Sequence, residues 1–310
     1  MQFPEVTIVI PTYNSAELLR QALASVRAQT VTNWEAIVVN NHSVDHTAKV
    51  IEEFADARIQ LVNFSNDGVI AASRNQGIRL ARSPWVAFLD SDDTWAPDKL
   101  DLCLSVARKD TSDLIVHDVY LDFQGKGQKR KRCEGRLSHG YKRLLFAKND
   151  FVTSSVMVRI DLLRTVGGFS EDASIVTVED FDLWLRLAKD GARVTHISEP
   201  LGTILISDAS ASRAVGRHIA AYLVLLDRHY AKLVRPTLMD NLCLRKVRAL
   251  AWYGGGRVYQ RRGDRAMAGK YFRISFTLNP LSPRLIGALL LLLVPFKMAT
   301  GPQLTEAGGN

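Results

Sequence analysis

The stretch WVAFLDSDDTW, residues 85–95, joins an apolar run to a cluster of acidic side chains. Its apolar part, WVAFL, shows no polar alternation, which is typical of a parallel strand buried on both faces. Asp90, Asp92 and Asp93 follow directly. Carboxylates this close repel one another, and unpaired charges at the edge of a core are costly. The stretch therefore predicts a buried strand whose tip faces something positively charged.

Three earlier apolar runs are similar to this one. They are VTIVI at 6–10, EAIVVN at 35–40 and IQLVNF at 59–64. The segments between them carry apolar residues at helical spacing, clearly at 16–29 and more weakly at 46–56 and 70–82. Alternating strands and helices predict an α/β fold with a doubly wound, mostly parallel sheet. Ligands of such sheets bind beyond the carboxyl ends of the strands, where the acidic cluster lies.

The spacing of the aspartates suggests a metal site. Asp90 and Asp92 are two residues apart, so their side chains point the same way if the strand stays extended. Carboxylate oxygens favour Mg²⁺ or Mn²⁺, and Mg²⁺ usually completes its shell with water and substrate phosphates. The alternative is a solvated acidic turn, in which Asp93 or Thr94 caps a helix predicted at about 97–108.

A second acidic segment is TVEDFDLWLRLAKDG, residues 177–191. Phe181, Trp184, Leu185 and Ala188 form the apolar face of a predicted helix, in whose first turn Glu179 and Asp180 lie. Acids at that position complement the helix dipole, which is the structural interpretation. The catalytic interpretation makes one of them a general base for an attacking hydroxyl. This segment alone leaves both open.

Composition and charge narrow the class of protein. The chain of 310 residues is 47% hydrophobic and 23% charged, which is ordinary globular usage and excludes a disordered chain. A net charge of +8 favours anionic partners. Nucleic acid is not expected among them, because no nucleic-acid-binding motif is present.

Cysteine usage and the first residues indicate the compartment. Cys103, Cys133 and Cys243 are odd in number and show no C-x-x-C spacing, so neither a disulfide framework nor a zinc site is expected. The first apolar run lacks a basic segment before it and ends at Pro11. We expect a cytoplasmic protein, with peripheral contact at the inner face of the cytoplasmic membrane as an option.

Taken together, these motifs resemble those of the family 2 glycosyltransferases. The motifs are, in order, PTYN (11–14), VVNNHSVDHT (38–47), SRNQG (73–77), FLDSDDTW (88–95), GGF (167–169) and VEDFDLWLRLA (178–188). The resemblance implies a GT-A fold and inverting, metal-dependent transfer of a hexose-type sugar. The donor would be a nucleoside-diphosphate sugar, with UDP favoured. The acceptor hydroxyl would belong to a glycan or lipid-linked carrier in polysaccharide or glycolipid synthesis.

The resemblance also assigns site residues. Those at the nucleotide-sugar site would be Pro11, Thr12, Tyr13, Asn41, Arg74, Asp90 and Ser91. Asp92 and Asp90 would hold Mg²⁺ or Mn²⁺, with Asp92 the more direct ligand. Asp180 would be the catalytic base, with Glu179 beside it.

Two positions depart from the family pattern. Asn40–Asn41 stands where the family often has two aspartates, which replaces a carboxylate acceptor by an amide that both accepts and donates. Ser207 stands where a histidine that helps to hold metal or diphosphate is frequent. We therefore also considered a non-catalytic glycan- or nucleotide-binding homologue. A sugar nucleotidyltransferase is disfavoured, because PTYNSAE supplies no glycine-rich triphosphate loop.

The sequence changes character after the catalytic motifs. We expect a catalytic domain over 1–215 and a helical accessory region over 216–310, in which 249–280 resembles one tetratricopeptide-like helical hairpin. RLIGALLLLLVPFK, residues 284–297, is apolar but too short to cross a bilayer comfortably. It is either a core helix of the accessory region or a helix lying in the membrane interface.

Overall fold

The structure is a computed structural model that describes residues 3–124, 127–133, 140–147, 149–206 and 215–293, with side chains as far as residue 289. The strands are β1 (Val6–Thr12), β2 (Trp34–Asn40), β3 (Ile59–Asn63), β4 (Trp85–Phe88), β5 (Thr94–Trp95), β6 (Leu114–Asp122), β7 (Gln128–Lys131), β8 (Val156–Arg159) and β9 (Val194–Leu205). The helices are α1 (Ala16–Arg27), α2 (Thr47–Phe54), α3 (Ile70–Leu80), α4 (Lys99–Ala107), α5 (Tyr141–Leu145), α6 (Ile160–Thr165), α7 (Glu179–Lys189), α8 (Val215–Tyr230), α9 (Leu238–Arg261), α10 (Arg265–Leu278) and α11 (Pro283–Leu293).

One mixed sheet organises the catalytic motifs. Its strand order is β3-β2-β1-β4-β8-β6-β9-β5, with β7 added to β6. The apolar runs predicted four strands, β1 to β4. These four strands run parallel to one another. β8 is antiparallel to both β4 and β6, whereas β6 and β9 are again parallel, so the sheet is mixed. The predicted α/β fold is confirmed.

The packing of the core explains why the sequences of β1 and β2 are continuous apolar runs. Every residue of β1 and β2 is buried, because helices cover both faces of this part of the sheet. Helix α1 buries five residues at helical spacing: Ala16, Leu19, Ala22, Leu23 and Val26. Helix α3 packs so closely on β1 that a Cβ at Gly77 would lie 2.3 Å from Val9 Cγ1. This close contact fixes the SRNQG segment beside the sheet.

Helix α4 corresponds to the helix predicted at 97–108, but the acidic cluster does not cap it. Asp98 is its N-cap residue and makes no side-chain capping bond. Thr94 belongs to β5, and the Asp93 carboxylate accepts hydrogen bonds elsewhere. The alternative role of the acidic cluster as a helix cap is therefore wrong.

The described residues from 215 onward form four helices, as predicted for the C-terminal region. The chain packs as two compact units, one ending at Leu244 and one beginning at Arg245. In the second unit, Ala268, Phe272, Leu285 and Ala288 form a small core. No helix in the described part of the chain is both long and apolar enough to cross a membrane.

Candidate active site

The tip of β4 holds the first acidic cluster in a network of hydrogen bonds. The Asp90 N–H donates to Ser154 Oγ (3.0 Å), and this hydroxyl donates to Asp93 Oδ2 (2.5 Å). The Leu205 N–H donates to Asp93 Oδ1 (3.2 Å). Burial, with the Asp90 and Asp92 carboxylates nearby, raises the pKa of Asp93 to about 8. Asp93 is therefore protonated at neutral pH and serves the turn as a buried polar group.

Arg74 connects this cluster to the second one. Its Nη2 donates to Asp90 Oδ1 at 2.7 Å, and its Nη1 donates to Glu179 Oε1 at 3.3 Å. The guanidinium carbon lies 5.3 Å from the centroid of the Phe169 ring. Arg74 and Glu179 are both buried, so their ion pair is shielded from water, whereas Asp90 is partly exposed. One buried cation thus holds the end of β4 against the start of α7.

Asn75, the neighbour of Arg74, anchors the same helix to the GGF segment. Its Nδ2 donates to the Phe169 carbonyl and its Oδ1 accepts from the Phe169 N–H, both at 2.8 Å. Gly168 lies against this amide with a φ of +68°, and a Cβ there would be 2.5 Å from Asn75 Oδ1. Only glycine fits both the left-handed backbone and the close approach. The SRNQG and GGF segments therefore contact each other directly.

The start of α7 separates its acids into different environments. Glu179 is buried, and its Oε2 accepts from the Thr177 N–H at 2.7 Å. Asp180 is half-buried; its Oδ1 accepts from the Phe181 N–H at 2.6 Å and its Oδ2 accepts from Asn149 Nδ2 at 3.1 Å. Each oxygen of the two acids has a protein donor, but Glu179 is buried whereas Asp180 stays partly exposed.

Burial decides the protonation of Asp180. Burial and the neighbouring Glu179 carboxylate raise the pKa of Asp180 to about 6, against the opposing effects of the Phe181 N–H, Arg74 and Asn149. A carboxyl with a pKa near 6 is largely ionised at neutral pH and still basic enough to take a proton. Among the acids of α7, Asp180 has the environment that a general base requires.

Polar side chains from β1 and β2 complete the same edge of the sheet. Thr12 Oγ1 and Ser91 Oγ each lie 3.0 Å from Ser15 Oγ, so the PTYN turn contacts the D-S-D segment. The Asn41 N–H donates to the Thr12 carbonyl, and Asn41 Oδ1 accepts from the Asn66 N–H. These contacts join the ends of β1, β2 and β4, as the strand pattern predicts.

Asn40 and Asn41 differ in what they leave open. Asn40 is buried: its Oδ1 accepts from Ser43 and its Nδ2 donates to Asn63. Asn41 is partly exposed and its Oδ1 accepts from a backbone N–H, while its Nδ2 has no hydrogen-bond acceptor among the described residues. Asn40 therefore supports the loop, while Asn41 is available to a ligand.

Two further predicted site residues occupy opposite environments. Pro11 is buried within β1 and pairs in register with Val39. Tyr13 is 59% exposed at the turn that follows. Pro11 thus sets the course of the backbone, whereas the Tyr13 ring is free to cover a ligand. Ser207 lies outside the described residues.

Among the carboxylates of this site, Asp92 has the least compensation of its negative charge by the protein. It is exposed and has no ion pair in the described parts of the chain, although loss of surrounding water and the Asp90 carboxylate raise its pKa. The described residues contain no group of three His, Cys, Asp or Glu side chains placed to hold a metal ion by themselves. A site with one or two carboxylates still fits Mg²⁺ or Mn²⁺, since phosphate oxygens and water supply the other ligands. Asp92 with Asp90 meets that requirement.

The sequence interpretation missed four residues of this site: Asn75, Asn149, Ser154 and Thr177. Asn75 could have been found from its position beside Arg74 in SRNQG. Asn149 and Ser154 lie in segments without a motif, and only the tertiary structure brings them to the acids. Thr177 adopts a φ of +86°, which is costly for a β-branched residue. No sequence signal indicates that conformation.

Comparison with known proteins identifies the group to which these motifs belong. The sequence model described as "Glycosyl transferase family 2" matches residues 7–167. An Escherichia coli protein named UDP-Glc:alpha-D-GlcNAc-diphosphoundecaprenol beta-1,3-glucosyltransferase is 36% identical over 60% of this chain and 70% of its own. The O-antigen biosynthesis protein RfbC of Myxococcus xanthus is 31% identical over 74% of this chain.

Several relatives are much longer than the matched part. The chain spans 18% of RfbC, 37% of the Bacillus subtilis putative glycosyltransferase EpsH and 27% of an Escherichia coli chondroitin synthase. Among solved structures, S. aureus TarS residues 1–349 with UDP-GlcNAc gives a TM-score of 0.64 at 18% identity, covering 92% of this chain and 87% of that one. A Pyrobaculum calidifontis mannosyltransferase with GDP-Man and Mn²⁺ gives 0.59 at 18% identity, covering 94% and 88%. At such identities the likeness shows the fold.

Proposed function

Because this chain belongs to glycosyl transferase family 2, we propose that it transfers a sugar from a nucleoside-diphosphate sugar to an acceptor hydroxyl, with inversion at the transferred carbon. The observation that carries this proposal is the position of Arg74. It contacts Asp90 at the tip of β4 and Glu179 at the start of α7. The candidate donor site and the candidate base therefore lie on two sides of one side chain.

Asp180 is the proposed general base. Its carboxylate is held by the Phe181 N–H and the Asn149 amide, and the acceptor is proposed to approach its partly exposed side. It removes the proton from the acceptor oxygen as that oxygen attacks the sugar carbon opposite the leaving diphosphate. Such proton transfer contributes about 10² to 10⁴ in rate. Single displacement by one attacking oxygen inverts the configuration at that carbon.

Glu179 acts differently from its neighbour in this proposal. It is buried, and its oxygens are bound to the charged Arg74 side chain and to the Thr177 N–H. It is a positioning residue that fixes Arg74, and through Arg74 it orients Asp90. The sequence interpretation placed Glu179 beside the base, and the geometry favours Asp180 for proton transfer.

Asp92 and Asp90 are the residues that would hold a divalent cation. Such a cation stabilises the negative charge that develops on the departing diphosphate. Asp92, the more exposed acid, would bind it directly, and Arg74 would hold Asp90 in place. Ser91 and Thr12, linked through Ser15, keep the D-S-D segment close to the nucleotide end.

We favour UDP as the nucleotide. Asn41 offers an amide donor, and the uracil edge carries carbonyl acceptors. Tyr13, exposed at the same end of the sheet, is free to stack on a base. A relative named for a UDP-glucose donor and a neighbour solved with UDP-GlcNAc support this choice, whereas the neighbour solved with GDP-Man is the competing case.

The acceptor is proposed to be a glycan or lipid-linked carrier met at the cytoplasmic face of a membrane. Residues 245–293 contain ten Lys and Arg residues and one acid, Asp264. Each basic residue near an anionic surface contributes about 1 kcal/mol. Exposed apolar side chains in the same unit, such as Phe276 and Ile286, would add contact with lipid.

Two measurements test the proposal. A panel of UDP-, GDP-, dTDP- and CMP-sugars is screened for thermal stabilisation of the chain with and without Mn²⁺; the proposal predicts that a UDP-sugar stabilises most and only with metal. Flotation with vesicles is predicted to retain the chain on anionic and not on neutral lipid. Stabilisation by no nucleotide sugar would contradict the proposed activity, and equal flotation with both lipids would contradict the proposed surface.

A further inference from the structure

Asn149 lies in the segment between α5 and β8 and contacts the carboxyl group proposed as the base. Its Nδ2 donates to Asp180 Oδ2 at 3.1 Å, while its Oδ1 accepts from the Phe151 N–H at 3.2 Å. An amide oxygen cannot donate and a backbone N–H cannot accept, so the two contacts agree on one amide orientation. The side chain is therefore fixed at both of its polar atoms.

The segment that carries Asn149 is anchored in the core. Phe151 is 4% exposed, and its ring centroid lies 5.9 Å from that of Trp184 in an edge-on contact. Trp184 belongs to α7, one turn after Asp180. The loop and the helix that hold the two partners are thus packed together, which restricts the distance between Asn149 and Asp180.

The Asn149 contact completes the set of donors to Asp180. The Phe181 N–H binds Oδ1, and within the described residues Asn149 supplies the side-chain donor to Oδ2. Two fixed donors restrict rotation of the carboxyl group about its terminal bond. A base whose oxygens are fixed meets the acceptor hydroxyl in one geometry, which reduces the cost of orienting it in the transition state.

We propose that Asn149 is a positioning residue that orients the Asp180 carboxylate toward the acceptor and favours its ionised form. This inference rests on the proposed function, because it concerns the base of that reaction. Asn149 touches neither the donor nor the acceptor in this role. Its effect is transmitted through Asp180.

The charged and titratable groups around Asp180 come from three elements. Glu179 on α7 raises the pKa of Asp180, and Arg74 on α3 lowers it. His218 on α8 contacts Thr177, and burial lowers its pKa against the opposing effect of Glu179, the neighbour of the base. Asn149 is uncharged and also lowers the pKa of Asp180. Removing the Asn149 amide therefore changes the pKa of Asp180 without altering any of the charged groups.

The sign of the effect follows from the role of the base. Asp180 acts when ionised, so turnover rises as the pH increases through its pKa of about 6. Loss of the Asn149 donor destabilises the ionised form and moves this acidic limb to higher pH. Asn149→Asp retains the size and an acceptor for the Phe151 N–H but places a second carboxyl group beside Asp180. We expect a larger upward shift for Asn149→Asp than for Asn149→Ala.

The experiment follows release of UDP from UDP-glucose and from UDP-N-acetylglucosamine with Mn²⁺, using water as the acceptor, from pH 5 to pH 9. The full chain is compared with Asn149→Ala, Asn149→Asp and Asp180→Asn. Asn33→Ala is the matched control, because Asn33 is an asparagine whose amide donates to the Phe3 carbonyl outside the site. Thermal stabilisation by the UDP-sugar reports donor binding in each variant.

We expect both Asn149 variants to bind donor as the unaltered chain does and to show an acidic limb about half a pH unit or more higher, with Asn149→Asp shifted further. A direct ¹³C NMR titration of the Asp180 carboxyl, assigned by its absence in Asp180→Asn, should show the same order of shifts without depending on turnover.

Two results would overturn the inference, and they are distinguishable. If Asp180→Asn keeps full turnover, the base assignment fails and the role of Asn149 falls with it. In the second result, Asp180→Asn loses turnover while Asn149→Asp leaves the acidic limb of the pH profile and the NMR titration unchanged. In that case Asp180 remains the base and only the role of Asn149 is excluded. A uniform loss of turnover at all pH values with an unshifted titration also excludes Asn149, because it would reflect packing.

Discussion

The two acidic clusters, one at the tip of β4 and one at the start of α7, carry similar residues in different electrostatic environments. In the α7 cluster each acid has its own donors: Arg74 and Thr177 for Glu179, Phe181 and Asn149 for Asp180, Arg186 and His229 for Asp182. In the β4 cluster Asp90 shares Arg74, Asp93 is protonated at neutral pH, and Asp92 has no ion pair in the described ranges. Every acid of the α7 cluster thus has fixed hydrogen-bond donors, whereas Asp92 of the β4 cluster has no cationic partner among the described residues.

This difference shows how acidic motifs with similar composition can take separate roles. A cluster whose carboxylates are all bound by protein donors can hold a base in a defined orientation. A cluster with an unpaired carboxylate gains free energy when a divalent cation binds. Arg74 is the one side chain that contacts both clusters among the described residues, so it couples their positions.

Asp180→Asn should have the largest effect on catalysis. The amide keeps the shape of the side chain but cannot accept the proton, so we expect release of UDP to fall by about 10²-fold or more. Donor-induced thermal stabilisation should persist. Asp161→Asn, an exposed acid in the first turn of α6, is the matched control. Turnover within a few-fold of the unaltered chain would show that the base lies elsewhere.

Arg74→Met should have the largest effect on stability. It leaves Asp90 and Glu179 without their shared cation in a buried position, and breaking such a pair costs about 3 to 5 kcal/mol. Chemical denaturation measures the change in free energy of unfolding. Arg79→Met, on an exposed position of the same helix, is the control and should change it by about 0.5 kcal/mol or less. Similar values for the two variants would mean that Arg74 does not couple the clusters.

A pair of isosteric changes compares the clusters directly. Asp182→Asn removes the charge that binds Arg186 and His229, and should destabilise the fold by about 1 to 3 kcal/mol. Asp93→Asn should change stability by less than about 1 kcal/mol at pH 7, since the pKa of Asp93 is raised to about 8 and the carboxyl is already neutral. The order of the two values is the test: a larger loss for Asp93→Asn would mean that Asp93 is ionised in the fold.

The pH dependence of the Asp182 contribution has a definite sign. Although burial opposes it, hydrogen bonds and charge from His229 and Arg186 lower the pKa of Asp182. Its contribution is therefore present above the unfolded pKa of about 3.9 and is lost as the pH falls through the lower folded value. The difference between the unaltered chain and Asp182→Asn should shrink below about pH 4 in denaturation experiments. An unchanged difference at pH 3 would contradict this account.

The parts of the molecule that follow local rules were predictable from sequence. The buried runs gave β1 to β4 because continuous apolar strands need cover on both faces, and the acids at 179–182 lie at a helix start as their spacing indicates. The antiparallel insertion of β8 beside β4 was not predictable, because VMVR is short and carries no directional signal. Strand pairing over such separations depends on tertiary packing.

The site was predictable in its charged residues and not in its supporting ones. Aspartates at strand ends stand out because charge beside an apolar run is costly, so Asp90 and Asp92 could be identified. The partners of those acids, such as Ser154 and Asn149, are 64 and 31 residues distant in sequence from Asp90 and Asp180. Their assignment depends on the folded chain, as does the division of roles between Glu179 and Asp180.

The most direct test of the account measures donor affinity and turnover together in Asp92→Ala and Asp180→Asn. Calorimetric titration with a UDP-sugar, with and without Mn²⁺, gives the affinity, and release of UDP gives the turnover. We predict that Asp92→Ala loses the metal-dependent part of donor affinity, whereas Asp180→Asn retains that affinity and loses turnover. Equal affinity with and without Mn²⁺ in the unaltered chain, or metal-dependent binding preserved in Asp92→Ala, would contradict the assignment of the cation to the tip of β4.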